Sequence, residues 1–298
     1  MKTVFALCLV WAAVAATCPA LAETPATLNL VVMDPLAKPL ACDCVQGYAQ
    51  RDYEQLATRL ERRLGMPVRL AFSESLPKAV QEKKLGAVHL VIGKDSVVLH
   101  DAREMKLPVT RIACLTDTLG RTTQHGLIVV PKDDSAKTVA DLAGYTILFG
   151  PVSCDEKHAA AIETIKAAGV TLPKEPVTRP ACSIAATDIL NKDFQPGAAA
   201  VISSYAAPLL EGCGAIDPGA LRVIASVRDV PFVAAFSTGH VGAELQVKLQ
   251  KALLAVGDDP ELCRSLETGL GFIDPKKAAI MRLAEPAPID AALRAKKN

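Results

Sequence analysis

Between Asp141 and His158 an apolar run stops at Gly150-Pro151, and a helical pattern starts just after Ser153-Cys154. A hydroxyl and a thiol are therefore expected at a helix N-terminus. There, unpaired backbone N–H groups and the positive end of the helix dipole favour bound anions and ionised thiols. Ser153 is the best-placed oxyanion donor, a role compatible with capping the helix. Cys154 suits a soft ligand or nucleophilic chemistry. His158, four residues on, would share its helix face, the spacing of a metal pair or a Cys/His couple; a solvated or capping histidine is the plainer reading. Upstream, Cys42 and Cys44 sit one residue apart, so extended backbone would point both thiols to one side as a chelating pair requires. Alternatively each is bridged elsewhere, because a direct bridge across one residue is strained. Cys42, Cys44, Cys154 and His158 thus form a possible soft-metal set. A cysteine-dependent enzyme with Cys154 as nucleophile and His158 as base lacks an oriented third group.

The elements that must position these residues alternate along the chain. Leu28 to Met33 reads as a strand; Tyr53, Leu56, Ala57, Leu60 and Leu64 recur at helical spacing until Gly65 stops the helix. A strand over 68–72, a short helix over 76–85 and a strand over 89–93 complete a βαβαβ unit, expected to close as a parallel sheet. After a strand over 109–115 and a polar stretch, the pattern restarts: strand 127–130, helix 135–142, strand 145–150, helix 155–168, strand 176–180, helix 183–191 and strand 198–202. Two similar α/β lobes with mostly parallel sheets are the expected fold class. Beyond Gly242, Leu245, Leu249, Leu253 and Val256 mark a helix, and the alanine-rich basic tail from Pro275 another. Doubly wound sheets bind ligands beyond the carboxyl ends of their strands. Lys94, Asp95 and Ser96 lie there in the first unit, and Ser203, Ser204 and Tyr205 in the second. Tyr48, after the Cys42–Cys44 loop, is placed to line the same cleft, whereas Tyr53 fits a helix core face.

The remaining features set the compartment and exclude classes of partner. Lys2, the apolar run from Val4 to Ala16 and Ala20-Leu21-Ala22 match a secretory signal cleaved after Ala22. Cys18 would suit a lipoprotein anchor, but Thr17 and Pro19 flank it where small residues are wanted. A periplasmic product is expected. Formal net charge is +1, so no basic field invites nucleic acid. Aromatic residues make up 4%, too few for a carbohydrate or single-strand stacking groove. Of nine cysteines, Cys8 and Cys18 leave with the signal. The odd number remaining, with Cys114, Cys213 and Cys263 unplaced in any site, leaves at least one thiol unbridged within the chain.

Several of these segments together resemble one family. Lys132-Asp133-Asp134-Ser135, Val139-Ala140-Asp141-Leu142-Ala143-Gly144, and a strand ending in Phe149-Gly150 before a serine turn are similar to the phosphate/phosphite/phosphonate solute-binding proteins of ABC transporters. Gly65-Met66-Pro67-Val68, Leu90-Val91-Ile92-Gly93, Ala199-Ala200-Val201-Ile202, Leu221-Arg222-Val223-Ile224 and Val230-Pro231 continue the likeness. The resemblance implies a type II periplasmic binding protein: two lobes joined by a two-strand hinge, closing on a ligand. It divides the chain into one lobe over 23–119 and 230–298 and another over 120–229. It implies no enzymatic activity, no cofactor, a monomer, and a membrane permease or a sensor kinase as partner.

Two departures bear on the ligand. Where the family carries Ser-Thr-Ser-Gly, this chain has Ser153-Cys154-Asp155-Glu156, which removes hydroxyl donors and adds two carboxylates. Where the family tends to place a histidine, Cys182 aligns, with Ser183 beside it. The resemblance thus places ligand contacts at 34–48, 94–97, 153–155, 182–183 and 203–205. It points to phosphate, phosphite or phosphonate, whereas the cysteines point to arsenite or a soft metal ion. A Cys154–Cys182 disulfide would restore the oxyanion reading.

Overall fold

The computed structural model describes residues 25–41 and 50–284. The expected signal segment, its cleavage site, Cys42, Cys44 and Tyr48 lie outside the described residues.

In chain order the first lobe opens with β1 (Leu28–Met33), α1 (Tyr53–Leu64), β2 (Val68–Phe72), α2 (Leu76–Glu82), β3 (Leu90–Lys94), α3 (Asp95–Glu104) and β4 (Val109–Leu115). The Asp52 carboxylate caps α1 by accepting the Glu54 N–H at 3.0 Å, and Gly65 closes it at φ 66°. β5 (Thr123–Gln124) leads into the second lobe: β6 (Gly126–Pro131), β7 (Thr146–Phe149), α4 (Ala159–Ala167), β8 (Val177–Thr178), α5 (Cys182–Asn191), β9 (Ala198–Ser203), α6 (Ala206–Gly212) and β10 (Leu221–Ser226). The chain then returns through β11 (Val230–Pro231) to β12 (Val233–Thr238), α7 (Ala243–Leu254), α8 (Pro260–Ser265), β13 (Phe272–Ile273) and α9 (Pro275–Ala284).

Among the described residues the first sheet has the order β13-β4-β12-β3-β1-β2 and the second β10-β6-β9-β7-β8. The βαβαβ expectation holds: β2, β1 and β3 are parallel. Each sheet is mixed, because the returning strand β12 runs antiparallel to β3 and β4, and β6 runs antiparallel to β9 and β10. β5 and β11 pair antiparallel, Gln124 opposite Val230, where the chain crosses between the sheets.

Strand alternation sends side chains to two cores per sheet. In β1, Leu28, Leu30 and Val32 pack with Leu56 and Leu60 of α1 and Leu249 and Leu253 of α7. Val31 and Met33 pack on the opposite face with Leu76, Val98 and Phe236. In the second lobe Ile147 and Phe149 face Ala160, Ala161 and Ile165 of α4, while Leu148 and Ala200 face Ala185 and Ile189 of α5.

Three local expectations need correction. The 135–142 helix is a 3-10 turn over Val139–Leu142, nucleated by the Asp141 carboxylate accepting the Lys137 and Thr138 N–H groups. Lys94, Asp95 and Ser96 do not lie beyond the end of β3 in a connecting segment: Lys94 is the last residue of β3 and Asp95 begins α3. The 155–168 helix divides into a 3-10 turn, Asp155–Lys157, and α4, with His158 between them at φ −126° and ψ −83°. The division has a hydrogen-bonding cause. The Lys157 carbonyl accepts the Gly150 N–H at 3.1 Å, and His158 Nδ1 donates to the Gly150 carbonyl at 2.9 Å, so this segment folds back onto the end of β7.

Candidate functional site

Gly150 and Gly126 make the fold-back possible. A Cβ on Gly150 would lie 2.6 Å from the Lys157 Cβ, and one on Gly126 would lie 2.1 Å from the Glu156 carbonyl oxygen. The consequence is that Glu156 and Lys157, which an uninterrupted surface helix would expose, are buried at the ends of β3, β7 and β9.

Glu156 is fully buried and joins the lobes. Its Oε1 accepts from Lys94 Nζ at the end of β3 and from Ser203 Oγ of β9, the latter at 2.7 Å; its Oε2 has no hydrogen-bond partner among the described residues. Burial opposes the Glu156 charge, yet Lys94 and Lys157 outweigh it and hold the carboxyl below its ordinary range. Burial likewise opposes charge on Lys94, and Glu156 overcomes it, so the ammonium is held above the ordinary lysine value.

Lys157 is 6% exposed and has no carboxylate partner among the described residues. Its Nζ lies 3.7 Å from Cys182 Sγ, at the start of α5. Burial works against its charge, but Cys182 and Cys154 outweigh the effect, and it stays above the ordinary lysine value. Cys182 Sγ in turn accepts the Ser203 N–H at 3.4 Å. Tyr205 is pushed up to about 12, chiefly by burial, and is neutral. Its ring stacks on Phe232 with centroids 5.3 Å apart, next to the returning hinge strand. Arg51 also lies over the Phe232 ring, its guanidinium carbon 5.4 Å from the centroid, and is held by Asp34 at 2.9 Å. Tyr53 donates to the same carboxylate at 2.6 Å.

Beside this cluster lies an interlobe cavity of about 330 Å³, lined by Asp95, Ser96, His100 and Arg103 from the first lobe, Ser153 and Asp155 from the second, and β11. Ser96 Oγ accepts the Asp155 N–H at 3.2 Å and so also ties the lobes. Asp95 is engaged with Arg111 at 2.6 and 2.8 Å, and Asp155 with Arg228 at 3.2 Å.

The arrangement is a cleft between two lobes that cross over through two short strands. A model of the family described as "ABC transporter, phosphonate, periplasmic substrate-binding protein" matches residues 46–279. The chain belongs to this family. Its members are substrate-binding transporter components rather than enzymes. Among solved structures, XAC2383 from Xanthomonas citri bound to ATP has a TM-score of 0.62 at 12% identity, covering 87% of this chain and 95% of that one. The phosphonate transporter binding protein PA3383 from Pseudomonas aeruginosa gives 0.60 at 13%, over 91% and 92%. PhnD1 from Prochlorococcus marinus, in complex with methylphosphonate, gives 0.60 at 14%, over 87% and 97%. No curated protein sequence matches the chain.

In this phosphonate-family protein the residues singled out from sequence divide into two groups. Lys94, Cys154, Cys182, Ser203 and Tyr205 belong to the buried cluster, with Cys154 close enough to act on both lysines. Asp95, Ser96, Ser153 and Asp155 line the cavity. Ser183 and Ser204 are engaged locally: the Ser183 carbonyl accepts the Thr187 hydroxyl, and the Ser204 N–H donates to the His125 carbonyl at 2.8 Å.

Two expectations for the cysteines are overturned. Cys154 and Cys182 are not bridged in the structure. Cys154 and His158 do not share a helix face, because the helix breaks at His158, and the His158 Nδ1 proton is committed to Gly150. This removes the geometry for both a Cys154/His158 metal pair and a nucleophile–base couple. No group of three metal-ligating side chains occurs among the described residues. Cys213 and Cys263 donate to the carbonyls of Leu210 and Val256, at 3.5 and 3.4 Å, and Cys114 is buried in β4. Sequence reading passed over Lys157, whose one visible signal was its position seven residues after the strand-ending Gly150.

Proposed function

We propose that this chain captures a compact oxyanion of the phosphate, phosphite or phosphonate class between its lobes and delivers it to the permease of an ABC transporter. The observation that carries this reading is Lys157: a buried ammonium without a carboxylate partner of its own among the described residues. Isolated buried charge is expensive in a medium of low dielectric, and an incoming anion relieves that cost. Tyr205 and the first turn of α5 supply further donors around it. The methylphosphonate held by a protein of the same fold is in accord with this ligand class. A soft cation is disfavoured, since Lys94 lies near Cys154, and Lys157 near both Cys154 and Cys182.

Isothermal titration of the purified protein with inorganic phosphate, phosphite and methylphosphonate tests the reading. One-site binding to at least one of them, lost in Lys157→Met, is the expected result. Absence of binding to all three, or unchanged binding by the variant, contradicts it.

A further inference from the structure

We infer that Glu156 is a built-in latch: its carboxylate is an anion carried by the chain itself, and it holds the two lobes together before any solute enters the cleft. Each end of the contact is fixed to its own lobe. Lys94 closes β3 opposite Val233 of β12, and the Asp95 N–H that follows donates to the Phe232 carbonyl at 2.7 Å. Glu156 belongs to the segment folded back onto the second sheet, where the Gly150 N–H donates to the Lys157 carbonyl at 3.1 Å and Gly126 leaves room for the Glu156 carbonyl. From there Glu156 Oε1 accepts from Ser203 of its own lobe at 2.7 Å and from Lys94 of the other. An oxyanion bridging the lobes from solution would draw on the same kinds of donor.

Burial gives the latch its strength. The Lys94 and Glu156 side chains are 5% and 0% exposed, so water screens their attraction weakly, and loss of one partner strands the other as a buried charge. That penalty falls on the closed arrangement, because swinging the lobes apart returns the stranded charge to water. The hinge permits the swing: β5 and β11 pair through Gln124 with Val230 and Thr123 with Pro231. A second tie reports on the first. The Asp155 N–H donates to Ser96 Oγ at 3.2 Å across the lobes, so its exchange with solvent registers their separation.

The test uses protein dialysed free of small molecules, with the bare chain mass confirmed by native mass spectrometry. Small-angle X-ray scattering of the parent is expected to match the closed structure, and Glu156→Gln, which keeps the side-chain size and removes the charge, to show a larger radius of gyration. Exchange of the Asp155 amide, followed by NMR, should accelerate about tenfold or more in the variant. A parent that is already extended, or a variant that keeps the parent's radius of gyration, overturns the inference. If Glu156→Gln does not fold, Lys94→Gln breaks the same pair from the first lobe, with the same expected opening and the same contrary result. No anion enters these measurements, so their failure and a failure of anion capture in the titration above are separate results.

Discussion

Replacing Lys94 with Met should destabilise the protein by about 3 kcal/mol. The side chains of Lys94 and Glu156 are 5% and 0% exposed, so the substitution strips a buried carboxylate of its ion-pair partner. Removing one member of such a pair typically costs about 3–5 kcal/mol, because the remaining charge stays desolvated. The lower end applies here: Ser203 still donates to Glu156 at 2.7 Å, and Lys157 still acts on it. Replacing both members with apolar residues removes the stranded charge, so the Lys94→Met, Glu156→Leu double variant should recover most of the loss. Urea unfolding followed by far-ultraviolet circular dichroism measures both, since the single tryptophan, Trp11, lies in the expected signal segment. A loss below about 1 kcal/mol for Lys94→Met, or an equal loss in the double variant, would refute the view of this pair as a buried interlobe charge contact.

Three further outcomes follow from the geometry. Gly150→Ala places a Cβ 2.6 Å from that of Lys157 and should cost about 1–3 kcal/mol while weakening anion binding, measured by thermal unfolding and titration. His89 is held below the ordinary histidine value by burial and by His240, and its Nδ1 accepts the Asn29 N–H at 2.9 Å. The unfolded chain therefore takes up this proton first as pH falls below about 6.5, and folded stability drops with it; His89→Asn should flatten that part of the stability–pH curve. Alkylation of the unreduced, denatured protein followed by peptide mapping should label both Cys154 and Cys182, and recovery of a bridged Cys154–Cys182 peptide would count against the cluster as described.

Local pattern was enough wherever an element's own residues decide its state. Tyr53, Leu56 and Leu60 repeat at helical spacing between an Asp52 cap and a Gly65 stop, and Leu28, Leu30 and Val32 alternate with Val31 and Met33; neither signal needs the rest of the fold. The family likeness, carried by short segments such as Val139–Gly144, and the place of the cleft at strand ends were legible for the same reason. What was hidden depends on contacts distant in sequence. The helix break at His158 comes from bonds to Gly150, and the continuous helical pattern through 155–168 gives no sign of it. Without that break Glu156 and Lys157 look like ordinary surface charges, and the pairing of Glu156 with Lys94, from the other lobe, cannot be seen. The Asp155-Glu156 pair read simply as repelling an anion. Its members in fact divide, Asp155 turning to Arg228 and Glu156 to Lys94. α3 was missed because Asp95 begins the helix directly after β3, with no turn residues to separate them.

The most direct measurement is a crystal structure of the protein grown with methylphosphonate or inorganic phosphate, with the anion located by its phosphorus density. A ligand between the lobes with an oxygen within hydrogen-bond distance of Lys157 Nζ is the predicted result. An anion found only on the surface, with Lys157 still facing Cys182 alone, would contradict the central claim.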